Sequence, residues 1–451
     1  MKAIPRSIHV GVLSLLLFLS ACDVMVTDEF FKSVDKWQPK PLDDPGALVE
    51  WLSLLNETVK SERISPPKAA RIHGYVATAF YEGLVHGYPG YRSVAGQING
   101  LPSLPLPYPK TTYDWPTVAI AAESATLLGL LPATTAADTR FAIEELREAQ
   151  IDGRRSTRIF EEIVVRSREY GERLAEALLA RAAVDGSDDA SQGGPYDRPV
   201  GPGYWVPTPP AMIQNPLLPW WGDVMTFTLE AIEECQPNLP PAYSEDPSSE
   251  FWRQMQEVYD IGTNPTQEQL EIALYWADDP GLTSTPPGHW LGITRSVILE
   301  KDLTLMEGAE AFLFVGFGLS DAFISGWKVK YETNYIRPVT AIQRLIDANW
   351  LPQVNTPPFP EYTSGHSVGS GAAGEALTVL VGDNVSFTDD THVSRGIPAK
   401  TFASFNEAAD EAAVSRLYGG IHFAEAINVG VEQGRCVARR AMARVKTRVE
   451  V

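Results

Sequence analysis

Along this chain, apolar side chains return every three or four positions over long stretches, and alternation at every second position is scarce. That period lines apolar groups along one stripe of an α-helix. It predicts helices over Asp43 to Glu62, Pro67 to His86, Thr117 to Leu131, Ala136 to Ala149 and Arg158 to Ala183. The pattern resumes at Phe251 to Ile261, Gln267 to Trp276, Trp290 to Leu303 and Leu305 to Lys330. It closes with Val339 to Asn349, Ser364 to Val381, Ala403 to Leu417 and His422 to Val449. Pro67 suits the first turn of its helix, where the missing N–H costs nothing. Between the two blocks, Asp185 to Asp223 is rich in Gly, Pro and Asp and predicts a long loop crossing the surface, ordered by Trp205, Trp220 and Trp221. No strand series and no repeat of fixed period appears. The fold class predicted is all-α: one large domain of helical bundles with antiparallel neighbours.

The N-terminus breaks this pattern. Lys2 and Arg6 precede an apolar run from Val10 to Leu19, too short to remain as a membrane span, and Leu19-Ser20-Ala21-Cys22 follows. Residues 1–21 read as an export signal, and the cysteine at the cleavage point resembles a bacterial lipobox, which implies a lipid on Cys22. Residues 22–42 then form a tether and 43–451 the helical domain. No later run is expected to cross a bilayer. Removing residues 1–21 takes away two of 37 basic residues against 57 acidic ones, so the mature charge is −22. Such a balance argues against nucleic acid and against anionic lipid surfaces as partners. Cys235 and Cys436 remain, able to pair in an oxidising compartment but too few for a disulfide framework or a metal site.

Candidate chemistry gathers between residues 327 and 426. In Trp327-Lys328-Val329-Lys330 through Arg337-Pro338, Lys330 and Arg337 are seven apart, so one helix would carry both cations on one face, with Pro338 near its end. Next, Pro357 to His366 leads into a helix of small residues. Ser364 is a natural N-cap, Gly365 permits close backbone approach, and the free N–H groups of a helix start suit an oxyanion. His366 lies two positions inside, in reach as an acid or base. In Ser415-Arg416-Leu417-Tyr418-Gly419-Gly420-Ile421-His422, the glycine pair breaks the helix, so Arg416 and His422 can both turn into one site. Together these supply three cations, a backbone cradle and two histidines. Transfer at a tetrahedral oxyanion requires that set: fixed positive groups around the oxygens, plus an axial nucleophile or ligand.

The order Lys, six residues, Arg-Pro; Ser-Gly-His; and Ser-Arg, five residues, His resembles the signature of the type 2 phosphatidic acid phosphatase superfamily, which includes the vanadium-dependent haloperoxidases. Tyr275 to Asp278, Thr285 to Trp290 and Pro66 to Arg71 are similar to the haloperoxidase branch. The resemblance implies a domain of two four-helix-bundle-like halves and a vanadate cofactor held by Lys330, Arg337, Ser364, Gly365 and Arg416. It implies His422 as the axial metal ligand, His366 as the acid–base histidine, and Lys330 as the group polarising peroxide. Hydrogen peroxide and a halide, iodide or bromide first, are the expected substrates, and hypohalous acid the product. Trp327 and Phe359 correspond to aromatic walls beside the halide path, which favours this branch over its alternative, an acid or lipid-phosphate phosphatase with His422 as phosphoryl nucleophile. Two positions depart from the family pattern. Thr363 stands where Pro is usual, which is expected to loosen the turn but leave the cradle intact. Ala426 stands where many members place an Asp that orients the axial histidine, so Glu425 or a backbone carbonyl is expected to do so instead.

Overall fold

In the computed structural model, which describes residues 44–449, helices form where the apolar stripe places them, with ends shifted by a few residues. The first half contains α1 (Gly46–Ser61), α2 (Pro66–Val85), α3 (Trp115–Leu130), α4 (Ala137–Ser156) and α5 (Glu161–Ala182). A connecting stretch holds the short α6 (Ser187–Gln192), then α7 (Glu250–Thr263), α8 (Gln267–Tyr275) and α9 (Thr285–Glu300). The second half contains α10 (Leu305–Thr333), α11 (Pro338–Leu345), α12 (Gly365–Val381), α13 (Phe405–Tyr418) and α14 (Ala424–Arg444). Cys22, its signal and the whole of the 22–42 tether lie outside the described residues.

Helix α10 is the spine of the molecule. Thr304 caps it with a reciprocal Glu307 box, and it packs on α2 of one half and α12 of the other. By length and composition it is one helix able to cross a bilayer, contrary to the sequence reading, but its apolar window is wholly buried inside the protein. It is a core helix. Around it, α2 packs on α3 and α3 on α5, while α12 packs on α13 and α14. The contact between α12 and α14 is backbone-close: a Cβ on Gly371 would lie 2.3 Å from the Val431 carbonyl oxygen, and one on Gly434 2.0 Å from that of Val368. Small residues set that spacing.

Two details differ from the pattern-based reading. A two-stranded antiparallel hairpin pairs β1 (Phe387–Asp389) with β2 (Lys400–Phe402), in register Phe387 to Phe402. Strands of three residues are too short to show an alternation, so no signal existed. The long loop after residue 185 is ordered as expected, with Trp205 and Trp221 buried, but it also carries α6 and a turn of 3₁₀-helix at Trp221–Asp223.

Candidate active site

Lys330 and Arg337 do not share a helix. Helix α10 ends at Thr333, Asn334 takes a left-handed conformation (φ 47°), and Arg337 is the N-cap residue of α11. The intervening backbone is extended against the 203–205 segment: Trp205 N–H donates to the Asn334 carbonyl (2.7 Å), and Ile336 N–H to that of Gly203 (3.0 Å). A chain reversal therefore brings the two cations together, and Pro338 marks the start of a helix rather than an end.

The cations grip the loop before α12. Arg337 Nε donates to the Phe359 carbonyl (2.9 Å) and Nη1 to that of Ile421 (2.9 Å), joining two motifs. Lys330 Nζ donates to the carbonyls of Pro360 (3.1 Å), Glu361 (3.0 Å) and Thr363 (2.5 Å). Its three hydrogens are thus engaged, and Lys330 reaches an oxyanion only by exchanging one carbonyl. Burial and the neighbouring Arg337 hold its pKa well below the ordinary lysine value, against the pull of Glu361.

Ser364 caps α12 as expected, its Oγ accepting from Ser367 N–H (3.3 Å). Its own N–H donates to the Ala426 carbonyl (3.1 Å), so the position that lacks the family's Asp still braces the cradle. The first-turn N–H groups of Gly365 and His366 lack intrahelical acceptors, as at any helix start. Thr363 does not loosen the turn. Its hydroxyl donates to Gln433 Oε1 (2.6 Å), and Gln433 Nε2 donates to Ser325 Oγ (2.9 Å), tying the loop to α14 and α10.

His422 sits just before α14, on the turn that Gly419-Gly420 makes. Neither Glu425 nor a carbonyl orients it. Its Nδ1 lies 2.8 Å from Glu361 Oε1, and the same oxygen accepts from Phe423 N–H (3.0 Å). Burial raises the Glu361 pKa to about 7, against the pull of Arg337, Phe423 N–H and Lys330. Burial and the nearby cations keep the His422 imidazole well below its ordinary pKa. A neutral ring donating from Nδ1 presents its lone pair at Nε2, 3.3 Å from Arg337 Nη1.

His366 is held in the complementary way. Burial and the Arg416 charge lower its pKa well below the usual value, against the pull of Asp278 and the Trp276 backbone. Its Nε2 is enclosed and has no partner among the described residues. Arg416 ends α13 with Nε on Ser415 Oγ (2.9 Å) and Nη2 on the Ala273 carbonyl (2.9 Å). Gly365 and His366 are the part-exposed residues of an otherwise buried cradle, so the site opens beside them. Trp327 and Phe359 form one wall, ring centroids 5.0 Å apart, with the Lys330 ammonium over both rings and Arg337 over Phe359. The long loop locks this wall: the Leu217 carbonyl accepts from Trp327 Nε1 (3.2 Å) and from the Tyr331 hydroxyl (2.6 Å).

The donor set fits vanadate. Arg337 Nη2 and His366 Nε2 are both buried without a partner among the described residues, and the lone pair at His422 Nε2 faces the same cations. Lys330 and Arg337 are fully buried, and the carboxylate acting on both is that of Glu361, which leaves room for a further anion. The residues that would hold it are Arg337, Arg416, the Ser364–Gly365 cradle and His422, with Lys330 after it exchanges a carbonyl.

The upstream motif residues form a separate cluster. His289 on α9 bridges Asp278 and Asp389, with His392 beside Asp278. Asp389 and His392 carried no recognisable signal, since they come from the hairpin more than a hundred residues away from Asp278.

Comparison with known proteins agrees with this geometry. Residues 310–450 match the family model of the VCPO second helical-bundle domain. Over 129 residues the chain is 34% identical to vanadium chloroperoxidase of Curvularia inaequalis, covering 23% of this chain and only about a fifth (21%) of that protein. The fold superposes on the structure of a bacterial vanadium-dependent iodoperoxidase with a TM-score of 0.85 and 34% identity, covering 92% of this chain and 100% of that one. It is also similar to apo and holo bacterial vanadium-dependent chloroperoxidases, with TM-scores of 0.63 and 0.62. At 16% and 17% identity, over 83% and 84% of this chain and 92% of each of theirs, those two support the fold alone.

Proposed function

This chain belongs to the vanadium-dependent haloperoxidases, and on that premise we propose that it uses hydrogen peroxide to oxidise halide, iodide first, to hypohalous acid. The observation that carries the proposal is His422, held at Nδ1 by Glu361 and presenting Nε2 to the buried Arg337. Vanadate bound there would supply Lewis acidity toward peroxide while keeping its own oxidation state.

The chain's residues do the rest. Oxidation of halide by peroxide gives hypohalous acid and hydroxide, and one proton is taken up for each hypohalous acid and water formed. His366 Nε2, unpartnered among the described residues, is the atom placed to carry that proton. Arg337 and Arg416 spread positive charge around the oxygens, where fixed donors cost no reorganisation. Trp327 and Phe359 keep water from the Lys330 side. Iodide is the easiest halide to oxidise, and the iodoperoxidase with the full-length match makes it the first to assay.

The deciding experiment incubates apo-protein with orthovanadate and measures iodide oxidation and phosphoester hydrolysis side by side. Recovery of peroxide-dependent oxidation, blocked by excess phosphate, is expected. Phosphoester hydrolysis without any vanadate-dependent oxidation would instead make the protein a phosphatase of the same superfamily.

We also propose export and anchoring through a lipid on Cys22. The bond between Cys235 and Cys436 supports an oxidising compartment. Mass spectrometry of the mature N-terminus, with Cys22→Ser as control, tests it; an unmodified cysteine there would end this reading.

A further inference from the structure

Behind the active site, buried side chains form one polar chain that no step above uses. His289 Nδ1 lies 2.9 Å from Asp278 Oδ2, and Nε2 lies 2.7 Å from Asp389 Oδ2. Asp389 is fixed in turn, its Oδ2 accepting from the Tyr275 hydroxyl (2.6 Å) and its Oδ1 from Thr391 N–H (3.0 Å). The His289 ring stacks on Trp276, centroids 4.3 Å apart at 24°. The imidazole and both carboxylates are buried.

Asp278, His289 and His392 are close enough to hold a metal ion, but their hydrogen bonds argue for a proton. Both nitrogens of His289 face carboxylate oxygens, so both carry hydrogen and neither has a lone pair to give. A metal on His392 Nε2 would turn its Nδ1–H toward Arg395 Nη1, 3.4 Å away. Burial opposes a charge on His289, yet Asp278 and Asp389 outweigh it and raise the pKa to about 10.

The cluster matters because of what its neighbours hold. Trp276 and Asp278 belong to the turn that ends α8. In that same segment, the Ala273 carbonyl accepts from Arg416 (2.9 Å), and the Trp276 backbone pulls on the His366 proton. We propose that His289, an imidazolium clamped between Asp278 and Asp389, is a positioning residue that fixes the 273–278 turn and thereby aims both Arg416 and His366. Without it, two buried carboxylates lose the cation they share and Trp276 loses its stacking partner, so the turn must shift. The inference rests on the anion-site reading above.

The test titrates orthovanadate and inorganic phosphate calorimetrically into the full chain and its His289→Gln and Asp389→Asn variants. Loss of a supporting hydrogen bond behind a bound metal group costs ~10–100-fold in affinity, and His289→Gln is expected to weaken both anions by about that factor, Asp389→Asn by less. Asp321→Asn removes a different buried carboxylate, one that accepts from Phe227 and Thr228 N–H. It should lower the urea midpoint but leave anion affinity unchanged, separating positioning from stability. His289→Gln with wild-type affinity overturns the proposal. Should His289→Gln fail to fold, nitrogen NMR of the wild type decides: two ring N–H signals from His289 at pH 8 are expected, and one overturns the clamp. Uptake of one zinc by the wild type, lost in His392→Ala, overturns it as well. Phosphate binding and the His289 signature without vanadate-dependent oxidation would leave the clamp standing and remove the haloperoxidase reading.

Discussion

Replacing Glu361 with alanine tests the carboxylate that orients His422 while Ala426 offers none. The carboxylate makes two short hydrogen bonds from one oxygen, to His422 Nδ1 (2.8 Å) and Phe423 N–H (3.0 Å), while Oε2 has no partner among the described residues. Each bond to a charged group is worth about 1.5–3 kcal/mol, and each buried donor left unsatisfied costs about 1–3 kcal/mol. Only part of this reaches the cofactor, because the ring can reorient and Phe423 N–H serves the backbone. The expected loss of vanadate affinity is therefore ~10–100-fold, or about 1.4–2.7 kcal/mol. Glu361→Gln keeps an oxygen acceptor and removes the charge, so it should lose less. A Glu361→Ala/Ala426→Asp double variant returns a carboxylate to the family's position and should recover part of the loss. The assay is orthovanadate titration by calorimetry or vanadium NMR. Glu361→Ala binding as tightly as wild type would refute the assignment, and so would Glu361→Gln losing as much as alanine with no recovery in the double variant.

The two site histidines should fail differently. His422→Ala is expected to lose vanadate binding, whereas His366→Ala should bind it and lose turnover by ~10²–10⁴-fold; the opposite pattern in titration and iodide assays would reverse their roles. Far from the site, Glu82 is buried with its carboxylate accepting from Val94 N–H (2.6 Å) and Ser93 Oγ (3.0 Å), and burial raises its pKa to about 7. The folded state therefore holds that proton more tightly than the unfolded state. The contribution of Glu82 to stability is full below the unfolded value near 4.5 and is lost as pH rises through about 7, by about 3 kcal/mol in all. Glu82→Gln should flatten that fall, with denaturant midpoints at pH 5 and pH 8 as the check; an unchanged pH slope would assign it to other groups.

The helices were legible because their apolar stripe is a local property, and the motifs because their spacing is. Arg416 and His422 straddle the Gly419-Gly420 break as read, and Ser364 caps α12 as read. Where sequence reasoning erred, the missing information was where the chain goes between motifs. Seven residues separate Lys330 from Arg337 on a helix or across a reversal alike, and only the left-handed Asn334 decides between them. Asp389 reaches His289 on a hairpin whose strands are too short to show a period. Thr363 looked like a weakened proline, yet its hydroxyl finds Gln433, seventy residues on.

Glu361 shows why a missing family residue is a poor guide to a missing function. An Asp at position 426 would reach His422 from the helix that follows it. Here the orienting carboxylate comes from the cradle loop, 61 residues before His422. The backbone carbonyl of that same Glu361 accepts from Lys330, and its carboxylate also fixes Phe423 N–H at the start of α14. One residue therefore links the cation that holds the loop, the loop itself and His422. If Lys330 exchanges a loop carbonyl for an oxyanion, the Glu361 backbone is among the three groups it can release, and the shift passes through one side chain to His422. Cofactor loading and histidine orientation would then be mechanically coupled through the carboxylate of the cradle loop.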